Sequence, residues 1–284
     1  MKGTTLLLLL VLPFYCNSQK LQVDLFGGVA TYQGDLQGKR YTLNQSRAAV
    51  GVGATYAMSE KFFARAGFTY GGLAGDDKLN TTAKGIEFRN LRFKSAVSEM
   101  HFGVEYNLFK LEGKSLTPYV FGGIALFHFN PYTNDSIGNK YFLKPLSTEG
   151  QGLAAYPNKK NYSLTQFAIP FGGGIKIRLS NEIQVAVELG LRKTFTDYID
   201  DVSGFYVDGT KLLNERGAKA IELSYRGNEV SSAATYPAEG AQRGNEKSKD
   251  WYYFSGIKLS KTINNKAGRI AKGRDKLGCP GKVL

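Results

Sequence analysis

The sequence predicts an all-β fold, an eight-stranded antiparallel up-and-down transmembrane β-barrel with long extracellular loops and short periplasmic turns. Three observations predict it. Segments with an apolar/polar period of two recur along the chain, and each reads as a strand that is greasy on one face only. The links between them alternate between a few residues and long polar stretches rich in Gly and Asn, as in outer-membrane barrels. Glycine at 34 and aromatics at 13%, against 8 prolines, suit long strands bent by glycine and edged with Tyr and Phe.

The chain opens with Lys2, an apolar run from Leu6 to Leu12, and Cys16-Asn17-Ser18 before Gln19. This reads as a secretory signal peptide over 1–18, too short to span a bilayer and cut after Ser18. Phe14 and Tyr15 are too bulky for Cys16 to be a lipidated first residue. The barrel is expected over 19–263 and a basic periplasmic tail over 264–284.

The first strand, Leu21 to Thr31, sets Leu21, Val23 and Leu25 against Gln22, Asp24 and Gly28. The second, Arg47 to Met58, sets Val50, Val52 and Tyr56 against Arg47, Gly51 and Thr55. After only Ser59-Glu60-Lys61, Phe62, Phe68 and Tyr70 oppose Phe63, Arg65 and Gly71, which makes a tight hairpin. The fourth, Lys94 to Asn107, opposes Met100, Phe102 and Val104 to Glu99, His101 and Glu105. The fifth, Pro118 to Phe129, is apolar on both faces, so its orientation is not readable. The sixth, Thr165 to Leu179, places Lys176 and Arg178 opposite Ile175 and Ile177. The seventh, from Ile183, alternates Val185, Val187, Leu189 and Leu191 with Ala186, Glu188, Gly190 and Arg192. The eighth, Trp251 to Lys261, opposes Ile257 and Leu259 to Gly256 and Lys258.

Links near 59, 110 and 181 are short, whereas 34–46, 72–92, 131–162 and 196–250 are long. Eight strands then leave both termini in the periplasm. A soluble lipocalin-like barrel shares the strand count but turns its apolar face inward around a ligand. The membrane arrangement is preferred because Tyr56, Phe62, Tyr70, Tyr106, Phe109, Tyr119, Phe129, Tyr132, Trp251 and Tyr252 gather at strand ends, where membrane barrels carry aromatic girdles. With apolar faces on lipid, Arg47, Arg65, Glu99, Glu105, Lys176, Arg178, Glu188 and Arg192 point into the lumen with Asp24. So narrow a barrel is filled by side chains, and buried charges persist when paired. A salt-bridged plug is expected, and a diffusion pore is not.

The formal charge of +13 would suit nucleic acid or an anionic surface, and export excludes the first. Cleavage would leave Cys279 as the sole cysteine, so no internal disulfide framework is expected. No catalytic residue, cofactor or metal is assigned. Asp197, Asp200, Asp201 and Asp208 match no calcium-loop spacing. His128 is the histidine best placed to work with them as a hydrolase base, yet nothing pairs it with a nucleophile. Phe195, Asp197, Tyr198, Asp200 and Asp201 are placed at the extracellular rim. In the tail, Lys266, Arg269, Lys272 and Arg274 face a single acid, Asp275, and with Cys279 they make a candidate partner contact.

Several stretches resemble one family: Tyr32-Gln-Gly-Asp-Leu36, Arg89-Asn-Leu-Arg-Phe93, Pro118-Tyr-Val-Phe-Gly-Gly123, Phe129-Asn-Pro131, Pro145 to Gly152, Glu188-Leu-Gly-Leu-Arg192 and Phe195 to Ser203. They are similar to the PorG-like proteins, the small outer-membrane barrel subunit of the type IX secretion machinery of Bacteroidota. The resemblance implies a non-enzymatic secretion subunit that links a periplasmic ring, a PorK-like lipoprotein and its PorN-like partner, to the outer membrane. Other outer-membrane secretion subunits and lipid are further implied partners. A small structural or adhesin barrel unrelated to secretion is the alternative.

Overall fold

A computed structural model describes residues 21–80, 88–110 and 115–263, so the expected signal peptide and tail, including Lys266, Arg269, Lys272, Arg274 and Cys279, lie outside the described residues. The strands are β1 Leu21–Gln33, β2 Arg47–Ala57, β3 Phe62–Asp76, β4 Arg92–Asn107, β5 Leu116–Phe129, β6 Tyr132–Asn134, β7 Lys140–Phe142, β8 Thr165–Arg178, β9 Ile183–Thr194 and β10 Trp251–Ile263. All eight expected strands form, and β6 and β7 are a small added hairpin inside a long loop. Each barrel strand pairs antiparallel with its sequence neighbour, and β10 pairs with β1 from Gln33↔Trp251 to Leu21↔Ile263. The barrel is therefore closed.

Period-two patterning decides what faces out. Met100, Phe102, Ile124, Phe167 and Val187 are exposed on the outer wall, while Glu99, Glu105, Lys176, Glu188, Arg192 and Lys258 are buried inside. A lipocalin has the reverse arrangement, so that alternative falls. An exterior this apolar is covered by lipid rather than water.

Strand β5 turns Val120, Ile124, Leu126 and His128 outward and Tyr119, Phe121, Phe127 and Phe129 inward. This corrects the girdle. Tyr119, Phe129 and Tyr252 are 1%, 0% and 0% exposed and stand inside the barrel, whereas Phe62 and Phe109 remain exposed at strand ends and Tyr70 is exposed within β3, which runs on to Asp76.

Glycines face each other across every second seam of the wall: Gly28↔Gly256, Gly53↔Gly67, Gly103↔Gly123 and Gly172↔Gly190. A Cβ added to Gly103 would lie 2.3 Å from the Gly122 carbonyl oxygen, so the backbones close to a distance only glycine permits.

The short turns are 58–61, 108–115 and 179–182. At the opposite end the loop expected over 72–92 is shorter, because β3 runs on to Asp76 and β4 begins at Arg92. The loop over 195–250 carries two helices, α1 Gly209–Arg216 and α2 Ala218–Ser224. Asp208 caps α1, accepting from the Lys211 amide at 2.8 Å. Leu36, Leu143, Tyr162, Ile199, Val202 and Leu223 from the loops pack with Phe127, Phe129, Tyr252 and Phe254 from the strands in one apolar core. The long loops thus form a cap continuous with the barrel's upper interior.

Candidate functional site

Two buried polar layers lie on the barrel axis. The lower is the lumen network. Arg65 donates to both oxygens of Glu188 at 3.0 Å and stands 3.7 Å from Glu105. Glu105 is also bound by Lys176 and, at 3.0 Å, by Lys258. Arg192 holds Glu99 through two nitrogens, at 3.0 and 2.9 Å. Asp24 accepts from Thr55 at 2.5 Å.

Inward aromatics complete this layer. The hydroxyl of Tyr119 donates to Glu188 and that of Tyr252 to Glu99, each at 2.7 Å. The guanidinium of Arg65 lies 4.1 Å from the Phe121 ring centre, and that of Arg192 lies 4.5 Å from Phe254. Tyr119 and Tyr252 read from sequence as membrane-surface residues, because aromatics near strand ends suit girdles. They turn inward because their hydroxyls satisfy buried carboxylates.

Acids Asp24, Glu99, Glu105 and Glu188 equal in number the bases Arg65, Lys176, Arg192 and Lys258, with three of the bases gathered on Glu105. Balance is what a narrow lumen requires, since each unpaired charge would cost several kcal/mol. Between Asp24, Arg65, His101, Arg192 and Lys258 a cavity of about 30 Å³ remains, room for one or two waters and not a solute path.

Two of the eight predicted lumen residues stand outside the network. Arg47 is exposed where β2 begins at the long-loop end, and Arg178 is half-buried where β8 ends at the short-turn end. Both have the lumen-side parity, but Arg47 stands in the groove beside the cap and Arg178 in the last pair of β8, beyond the buried layer. Lys258 belongs in the network and was legible, since it shares the inner face of β10 with Gly256.

The upper layer lies in the cap. Tyr32 hydrogen-bonds Asp200 at 2.6 Å and Asp250 at 3.0 Å. Asp250 also accepts from the Ile199 amide, and Asp200 from the Val202 amide. Asp201, at φ 66°, accepts from Thr148 at 2.5 Å and Tyr162 at 2.7 Å. Glu149 binds the Ser203 and Gly204 amides and Arg243. Asp77 pairs with Arg89 and accepts the Leu91 amide. Asp197 accepts from Ser203, and Asp35 from the Asn245 amide.

So Asp197, Asp200 and Asp201, expected at the rim, are 2%, 1% and 0% exposed. Phe195 is exposed, and the Tyr198 ring stacks on Tyr162 at 4.7 Å. The aspartates went inside because their neighbours Ile199 and Val202 anchor the turn in the apolar core.

Unlike the lumen, this layer is short of cations. Burial pushes the Asp197 carboxyl up to about 7 and the Asp35 and Asp201 carboxyls up to about 6. Burial, with neighbouring aspartates, raises Asp200 and Asp250 well above the carboxylate range. The Tyr32 hydroxyl has one proton and two carboxyl neighbours, an arrangement satisfied when one of the pair is protonated.

Among the described residues no group of three or more His, Cys, Asp or Glu is arranged to hold a metal ion. His128 is exposed and bonds Thr165 at 3.0 Å, on the outside of the wall and away from the cap aspartates. His101 lies in the lumen with Nδ1 3.3 Å from Glu99.

A family model described as a domain of unknown function, DUF6089, matches residues 2–208. No curated protein matches the chain. Among solved structures it is similar to Neisserial surface protein A, at 7% identity over 86% of this chain and 97% of that one, with a TM-score of 0.41. It is similar to Ail, the attachment invasion locus protein of Yersinia pestis, at 5% identity over 87% of this chain and all (100%) of that one, TM-score 0.40. A major outer membrane protein from Thermus thermophilus gives 13% identity, 87% and 100% coverage and a TM-score of 0.42. Likeness at this level carries nothing about function.

Proposed function

The chain belongs to the DUF6089 family, and for it we propose the role of a non-enzymatic outer-membrane subunit of a type IX secretion machine, linking a periplasmic ring of PorK-like and PorN-like proteins to the outer membrane. The barrel sits in the bilayer with its long loops outside the cell and both termini in the periplasm, as in other outer-membrane barrels.

The observation that carries this reading is the convergence of the resembling stretches. Tyr32, Asp35 and Leu36, Arg89 to Phe93, Thr148 and Glu149, and Asp197 to Ser203 are far apart in sequence, yet they make up most of the buried knot of the cap. A resemblance confined to amphipathic strands would reflect membrane patterning alone. One that assembles into a single buried device supports common descent, and with it a common role. The filled lumen also suits an anchor better than a channel.

Deletion of the gene tests the role directly. Cargo should accumulate in the periplasm, while the purified barrel in planar bilayers shows no stable conductance. Normal secretion in the deletion strain would overturn the reading. The ring contact is assigned to the basic tail, with Cys279 pairing to a ring subunit. Non-reducing gels of native membranes should show an adduct that Cys279→Ser abolishes.

A further inference from the structure

The barrel wall carries an unfinished sheet edge at its long-loop end. The ladder between β2 and β3 stops at Ala49↔Gly71, but β3 continues five residues further, paired with β4 as far as Asp76↔Arg92. Among the described residues no strand pairs the other edge of 73–76.

The alternation of the ladder says which groups that edge presents. Beyond the last pair the Asp77 amide donates to the Leu91 carbonyl, and at the far end the Asn107 amide donates to the Lys61 carbonyl, so odd-numbered residues of β3 bond toward β4. Met58 donating to Phe62 puts the even-numbered residues on the β2 side. Ala74 and Asp76 therefore turn their amides and carbonyls to the open edge, and Gly72, whose amide closes the β2 ladder, adds its carbonyl; all three are half-buried rather than sealed.

A groove of about 720 Å³ runs along this edge, between the end of the β1–β2 loop and the β6–β7 hairpin. Gln45 lines it, is only 7% exposed, and has no hydrogen-bond partner among the described residues for either its amide nitrogen or its amide oxygen. A buried primary amide left unmatched on both atoms is uncommon and costs stability unless something completes it. A peptide group, one donor and one acceptor, is its complement. Arg47 and Lys94 also line the groove, exposed and with no carboxylate paired to either among the described residues. The groove's own acids are engaged: Asp76 accepts the Lys78 amide, and Asp135 holds Lys219 and the Asn139 amide.

We propose that this edge and groove bind an extended acidic peptide segment, which adds to β3 as an extra strand outside the barrel. Main-chain bonds to Ala74, Asp76 and the Gly72 carbonyl supply the affinity, and Gln45, Arg47 and Lys94 supply the selection. The site is independent of the secretion role and of the tail, and stands whether or not either is correct.

The test uses the full chain purified in detergent and three fluorescein-labelled hexapeptides read by anisotropy. They are alternating Glu-Val, alternating Lys-Val, and Glu-Val methylated on alternate backbone nitrogens. Saturable binding of the first alone is expected. Ala74→Pro removes an edge amide without touching the β4 ladder, and should weaken binding about tenfold, as should Arg47→Glu with Lys94→Glu. Because a proline variant can fail to fold, amide exchange is also followed in the unaltered chain, where residues 72–76 should slow when the Glu-Val peptide is present. No binding of the Glu-Val peptide, equal binding of the methylated peptide or of the Lys-Val peptide, unchanged exchange at 72–76, or displacement by inorganic phosphate at constant ionic strength would each overturn the added strand.

Discussion

The lumen and the cap bury the same kind of group, a carboxylate, and solve its burial in opposite ways. In the lumen, Glu99, Glu105 and Glu188 are met by guanidinium or ammonium groups from facing strands. In the cap, Asp197, Asp200 and Asp250 are met by hydroxyls and backbone amides, and among the described residues no cation pairs with their oxygens. The first solution keeps carboxylates charged and makes each partner indispensable. The second makes protonation part of the fold. Strands cause the difference, since a rigid ladder can hold a long cation opposite an acid, whereas a turn such as 197–203 has its own amides at hand.

Breaking a lumen pair should have the largest effect. Arg65→Ala leaves Glu188 facing only Lys258 and Tyr119, and Arg192→Ala leaves Glu99 with Tyr252 and His101. Each should cost about 3 to 5 kcal/mol, seen as a lower urea midpoint in detergent. Asp200→Asn in the cap, measured at pH 8, should cost far less or stabilise. Equal losses in the two layers would erase the distinction, and wild-type midpoints for both arginine variants would mean a wet lumen.

The wall that holds the lumen partners in place is the next target. At Gly103 an added Cβ meets the Gly122 carbonyl, and at Gly190 it would lie 2.3 Å from an Arg192 nitrogen. Gly103→Ala should cost about 1 to 3 kcal/mol by overpacking. Gly190→Ala should cost less, because a side chain can shift where a backbone cannot. The reverse order would mean that the guanidinium is held more rigidly than the strand.

How much of this was legible follows the same division. Period two alone placed eight strands, their faces and six of the eight lumen charges, because membrane and lumen sort side chains absolutely along a strand. It failed on β5, where Tyr119, Phe121 and Val120 are all apolar enough for either face, and the choice is made by the Glu188 carboxylate on another strand. It missed the length of β3, since Gly72, Ala74 and Gly75 read as loop composition. In the cap the stretch Phe195 to Ser203 stands out in the sequence, but its aspartates read as rim residues because acidic residues are usually solvated. Nothing local in that stretch reports Asp250 or Glu149, which join it only through tertiary contact.

Acidity separates the layers without a substitution. Because burial raises the carboxyls of Asp35, Asp197 and Asp201 to between about 6 and about 7, against roughly 3.9 in an unfolded chain, the folded cap holds the extra protons. Its stability is therefore greatest below about pH 4 and declines as pH rises through those folded values, flattening above about 8. Between pH 5 and pH 8 the cap should lose roughly 1 kcal/mol for each of Asp35 and Asp201 and roughly 2 to 3 kcal/mol for Asp197, measured as faster proteolysis or amide exchange in 195–250. Asp197→Asn should flatten that slope. Faster cleavage at pH 5 than at pH 8 would show the sign to be wrong.

The smallest expected effects sharpen the comparison most, because they use the residue type on which the lumen depends. Arg47 and Arg178 have the strand parity of Arg65 and Arg192 but stand at opposite ends of the wall, exposed and half-buried, outside the buried set of pairs. If lumen arginines matter for the charge they neutralise in a dry interior, then Arg47→Ala and Arg178→Ala should each change stability by less than about 0.5 kcal/mol, as surface substitutions do. Urea midpoints in detergent, measured beside Arg65→Ala, give the contrast within one residue type. A loss at Arg178 comparable to that at Arg65 would extend the dry network to the short-turn end. A loss at Arg47 would mean that its stem, packed where a Cβ on Gly72 would lie 3.0 Å from it, braces the overhanging end of β3.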